Sequence, residues 1–166
     1  MILGMSTATF TTLHVVLSLI GIVSGAIVLI GLLTAKRLRG LTALFLASTV
    51  LTSATGFFFQ SPSSSPARVV AIISLLLLAV ALLALYAYHL AGAWRWIYVA
   101  TAVVSLYLNV FVGVVQSFQK LPALQALAPT QSEPPFLIAQ TVVLAIFVVL
   151  GGMAVKAFHP KATARG

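Results

Sequence analysis

Charge is the first thing this sequence has little of. Only 6% of its 166 residues are Asp, Glu, Lys or Arg, where a soluble domain carries about 25%. Nine basic residues and one acid cannot cover a globule of this length in water. An ordinary soluble enzyme is excluded on that ground, and a disordered chain is excluded by the 61% hydrophobic content. Cysteine is missing altogether, which removes disulfides, thiolate metal sites, iron–sulfur clusters and cysteine nucleophiles. The single acid, Glu133, leaves no carboxylate for an intramembrane proton relay. No phosphate-binding loop, nucleophile elbow, zinc-protease or dinucleotide fingerprint occurs.

What the sequence does have is long apolar runs. Five of them, at about 11–34, 41–59, 69–90, 96–118 and 136–155, approach or exceed the ~20 helical residues that cross a hydrocarbon core. They are too long and continuous for barrel strands, and a backbone in lipid must satisfy its own hydrogen bonds. The expected fold is therefore all-α: an integral membrane bundle of five transmembrane helices forming one domain over residues 1–166. No two runs repeat one another, which argues against an inverted-repeat transporter. The connection 119–135 is the longest. Its leucines at 121, 124 and 127 suggest a helical turn or two lying at the surface, where the loop could serve as a lid.

The basic residues set an expected topology. With five crossings, Lys36, Arg37, Arg39, Arg95, Lys156, Lys161 and Arg165 share one side, and only Arg68 and Lys120 lie opposite. The positive-inside bias places the N-terminus outside and the C-terminus in the cytoplasm. Tyr86, Tyr88, Trp94, Trp96 and Tyr98 gather near the cytoplasmic boundary, as an aromatic belt does. The net charge of +8 then needs no nucleic acid to explain it.

Polar residues recur at helical spacing inside the apolar runs. Run one carries Thr11, His14, Ser18, Gly21 and Gly25, and run four Ala102, Ser105, Asn109, Gly113 and Gln116. Run two adds Ser48, Thr52 and Gly56; run five adds Thr141, Ala145 and Gly152, with Gln140 beside them. Run three has no comparable side chain between Ser74 and Tyr86 and is expected to be the most lipid-exposed helix or the one at a subunit contact. Small residues in such stripes are explained by helix packing. His14, Asn109, Gln116 and Gln140 are different, because an unpaired amide or imidazole in lipid costs a few kcal/mol and one interhelical bond returns only about 0.6–2 kcal/mol. These groups, with Thr52, fall in the outer half, under the loop carrying Glu133. They predict an outward-facing polar pocket whose ligand-binding residues are His14, Ser18, Thr52, Asn109, Gln116, Glu133 and Gln140. A structural hydrogen-bond network is the competing explanation.

The same residues constrain the chemistry. One histidine and one loop carboxylate do not make a protein-built metal site. His14 and His89 lie near opposite faces and cannot clasp one haem within a subunit. Ser18 follows His14 by four residues, but no acid orients the imidazole, so the pair predicts a packing hydrogen bond and no catalytic residue. The function expected is binding or carriage of a small lipidic, quinone-like or weakly polar molecule. The alternatives are an accessory subunit of a homo-oligomer or larger membrane complex and, behind it, a haem- or quinone-linked redox subunit. The sequence specifies no cofactor, and membrane lipid is the partner it implies.

The stretch from Leu106-Tyr-Leu-Asn109 through Gln116-Ser-Phe-Gln119 to Gln131-Ser-Glu133-Pro-Pro-Phe136 resembles a group of uncharacterised small bacterial multi-pass inner-membrane proteins. The resemblance extends over most of the chain. It implies the bacterial inner (plasma) membrane as location and transfers no activity or residue role.

Overall fold

The computed structural model describes residues 1–59 and 65–159, and everything regular among them is helical. Helix α1 spans Thr7–Leu33, α2 Arg39–Gly56, α3 Pro66–Leu82 with a π-helical turn at Leu83–Ala87, α4 Trp94–Lys120, α5 Pro122–Leu127 and α6 Pro134–Ala157. Four of these, Thr7–Leu33, Pro66–Ala87, Trp94–Lys120 and Pro134–Ala157, are long and apolar enough to cross a membrane. The apolar runs predict five. The run at 41–59 yields the exception, α2. It is 18 residues long, begins on Arg39 and carries hydroxyls at Thr42, Ser48, Thr49, Thr52, Ser53 and Thr55.

Local chemistry sets the helix boundaries. The Ser6 hydroxyl accepts the Thr9 N–H at 3.1 Å, so α1 starts four residues before its apolar run. At its other end Lys36 N–H reaches the Gly31 carbonyl at 2.8 Å and Ala35 N–H reaches Leu32 at 3.3 Å. That double closure is a Schellman motif with Ala35 in the left-handed conformation (φ 54°) usually given to glycine. Ser65 caps α3, and prolines occupy the first turns of α3, α5 and α6, where a missing N–H costs nothing.

Helices α1 to α4 form a ring in chain order, with α2 and α4 closing against α1, while α6 lies outside on α4 and α1. The core sits at the end where α1 and α3 finish. There Val28, Leu32, Phe45, Leu46, Leu78, Ala81, Ala84, Leu85, Val99, Ala102 and Leu106 are all buried. Gly25 is the tightest contact: a Cβ there would meet Leu106 Cδ1 at 2.6 Å and the Phe45 ring at 2.8 Å. Arg95, at the start of α4, donates to the carbonyls of Val155 (3.2 Å) and Phe158, capping α6 with a cation where its dipole favours one. The turn between α3 and α4 stacks Tyr88 on Trp94 at 3.9 Å.

Two expected faces are corrected. Run three does not form the most exposed helix. It is wedged between α2 and α4 and buries Ser74, Leu78 and Ala81. Among the four long apolar helices the most exposed is α6, where Ala154 is the one buried residue. The inward face of α6 also differs from the expected Thr141–Ala145–Gly152 stripe, since all three are exposed and the helix meets its neighbours through Gln140, Phe147, Leu150 and Ala154. With both flanks of that helix apolar, a single glutamine is the better marker of the contact side.

Candidate functional site

At the end where α1 and α3 begin, the ring opens. Polar side chains crowd Gly21, where a Cβ would meet Asn109 Nδ2 at 2.9 Å, Thr49 Oγ1 at 3.0 Å and Ser48 Oγ at 3.3 Å. Beyond it lies a cavity of about 1130 Å³. Its walls are Thr11, His14, Ser18 and Ile22 of α1; Thr49, Thr52, Ser53 and Gly56 of α2; Val70, Ala71 and Ser74 of α3; and Leu108, Asn109, Val112, Gly113, Gln116 and Ser117 of α4. Phe58, Phe59, Lys120 and the N-terminal turn at residues 1–3 also line it. Lys120 is the one charged side chain among these described lining residues.

Most hydroxyls in the bundle satisfy themselves. Ser24, Ser48, Ser105, Ser117 and Thr55 each donate to the carbonyl four residues earlier, at 2.6 to 2.8 Å. Three buried polar atoms on the cavity wall have no partner among the described residues: Thr49 Oγ1, Thr52 Oγ1 and Asn109 Nδ2. Thr49 is 2% exposed and Thr52 8%. Buried groups of this kind are normally paired, so three on one wall require an explanation.

His14 does not bond to Ser18, as their spacing predicts. Its Nδ1 instead lies 2.9 Å from Thr55 Oγ1 on α2, and the Phe59 ring packs edge-on against it at 5.1 Å. The residues expected at the site therefore divide. His14, Ser18, Thr52, Asn109 and Gln116 line one cavity. Glu133 and Gln140 are not among its lining residues. The Glu133 carboxylate accepts from Thr130 N–H (3.1 Å), Thr130 O–H (2.8 Å) and Ser132 N–H (3.1 Å), closing the turn before α6. The Thr130 hydroxyl, seconded by those amides, holds this carboxyl below its ordinary range. Gln140 Nε2 donates to the Phe111 carbonyl at 3.2 Å, tying α6 to α4. Of the loop expected as a lid, only Lys120 and Leu121 border the cavity. Gln131 bonds back to the Val115 carbonyl at 3.0 Å, holding the rest along α4.

Thr49, Ser53 and the α3 residues were not anticipated. Thr49 stands three positions before Thr52, a spacing that marks the same face, but Ser48 occupies the neighbouring stripe and masks it. The cavity offers one imidazole and no carboxylate, and no three His, Asp or Glu residues come together among the described residues. Its lining combines hydroxyl, amide and imidazole groups and one cation, Lys120, with apolar walls. Comparison with protein-family models, curated proteins and solved structures gives no match.

Proposed function

We propose that this chain is a small polytopic inner-membrane protein that binds or carries a lipidic molecule with a weakly polar headgroup in the cavity between α1, α2, α3 and α4. In this proposal α2 is the fifth crossing. Its 18 residues extend about 27 Å, near the hydrocarbon thickness of about 30 Å. Ser48 and Thr55 spend their hydroxyl protons within the helix, which lowers its cost in lipid. The basic residues at the packed end, Lys36, Arg37, Arg39, Arg95 and Lys156, support placing that end in the cytoplasm and the cavity outside. Lys161 and Arg165, which add to that count, lie outside the described residues.

The observation that carries the proposal is a cavity large enough for a headgroup and part of its tail, lined by three residues, Thr49, Thr52 and Asn109, whose buried polar atoms have no partner among the described residues. Native mass spectrometry of the detergent-purified protein tests it. A retained amphiphile is expected on the parent chain and lost from Asn109→Leu. Melting temperature should hold or rise in the variant, because a buried donor without a partner has been removed. Unfolding of Asn109→Leu, or undiminished retention of the same molecule, overturns the proposal in favour of a structural role.

A further inference from the structure

We propose that the cavity selects a headgroup that donates a hydroxyl proton over the carbonyl or ester counterpart of the same skeleton; this rests on the ligand-binding proposal above. The selector is His14, and Thr55 sets its polarity. A threonine hydroxyl has one proton. In Thr55 the oxygen lies 2.7 Å from the Leu51 carbonyl and 3.1 Å from that of Thr52, so the proton is given to its own helix. The same oxygen is 2.9 Å from His14 Nδ1 and can only accept there. His14 therefore carries its proton on Nδ1, and Nε2 holds a bare lone pair.

His14 lines the cavity while Thr55 stands behind the wall. Gly56 leaves room beside the ring, a Cβ there being 3.8 Å from His14 Cε1. With Nδ1 committed to α2, Nε2 is the atom through which the imidazole meets a ligand, and it meets it as an acceptor. A carbonyl oxygen placed there would set lone pair against lone pair, whereas a hydroxyl donates. Asn109, Thr49 and Thr52 line the same cavity with polar atoms that have no partner among the described residues, and a rotation of the Asn109 amide into the cavity would add the complementary donor. No carboxylate lines the wall to receive a cation. A hydroquinone head and a diacylglycerol head both meet this specification.

Two measurements on the full chain in detergent test the assignment. Ring-¹⁵N spectra of the labelled protein, with His14→Gln identifying the His14 signals, are expected to show a protonated Nδ1 and an unprotonated Nε2. The reverse tautomer overturns the proposal. Titration calorimetry then uses two pairs of probes: a decyl-tailed benzoquinol with its quinone, and dioctanoylglycerol with its acetate. The pair that binds names the source, and within it the hydroxyl form should bind about tenfold tighter, the worth of one hydrogen bond. Thr55→Val frees the ring to move its proton to Nε2 and should erase that preference by raising affinity for the acceptor form. Equal affinities in the parent chain, or an intact preference in Thr55→Val, overturn the selectivity. Failure of all four probes with the expected tautomer overturns the ligand-binding proposal itself.

Discussion

The two ends of this bundle are built from the same helices and treat polarity in opposite ways. At the packed end the buried Ser24 and Ser105 give their protons to carbonyls one turn back, and the space between helices is filled by Phe45, Leu46, Leu78 and Leu106. At the open end Thr49, Thr52 and Asn109 keep unspent hydrogen-bonding capacity beside about 1130 Å³ of space. Hydroxyl content does not distinguish the ends. What differs is that at the open end Thr49, Thr52 and Asn109 remain uncommitted beside back-bonded neighbours such as Ser117 and Thr55. A polar stripe in an apolar helix is thus weak evidence for a site until its back-bonds have been subtracted.

That contrast can be broken most severely at Gly25. Gly25→Leu forces a branched side chain between Leu106 and Phe45, both under 3 Å from its Cβ. Overpacking of this kind costs about 1–3 kcal/mol or more, and loss of monodisperse folded protein is expected in size-exclusion profiles and melting curves. Gly113→Ala, on the cavity wall, meets only Ile22 at 3.7 Å and should melt within about 0.5 kcal/mol of the parent. Equal damage at both glycines would mean that the ends are equally tight.

Which end faces the cytoplasm is sharpened by single cysteines, with no expected change in stability. Gln125→Cys, on α5 at the open end, should react with an impermeant maleimide on intact cells. Ala91→Cys, in the turn between α3 and α4, should react only after permeabilisation. The opposite pattern inverts the proposed topology.

The smallest effect is expected at Glu133. Its carboxyl is held below the ordinary value by Thr130 and neighbouring amides, so its contribution is complete above the usual glutamate range of about 4.3. That contribution fades as pH falls through the lower folded value. Glu133→Gln should lower the melting temperature slightly at pH 7, and the two chains should converge in acid. A large loss of ligand retention in this variant would return the loop to the site.

Much of this arrangement was legible before any coordinates. The stripes His14–Ser18, Thr52–Gly56 and Asn109–Gln116 each announce an inward face, and antiparallel order alone brings them to one end. Three things were hidden, each for a physical reason. Thr49 and Ser48 are adjacent, and period alone cannot say which hydroxyl is spent. Glu133 looks available as the only acid, but it sits one residue after Ser132 and three after Thr130, which claim its oxygens locally. On α6 every face is apolar enough for lipid, so the register toward α4 is fixed by Gln140 and by Arg95 reaching the carbonyls of Val155 and Phe158.

Gly21 has a consequence for how such a chain can diverge. Wall residues such as Ile22, Val70 and Leu108 border open space and can exchange for one another's shapes, altering the tail that fits. Position 21 has less latitude, because the first carbon added there comes within 2.9 Å of Asn109 Nδ2 and 3.0 Å of Thr49 Oγ1 and must push against both. Substitution at that one glycine would move both polar groups together. Descendants of this sequence are therefore freer to change the shape of the walls than the polar groups packed against the floor.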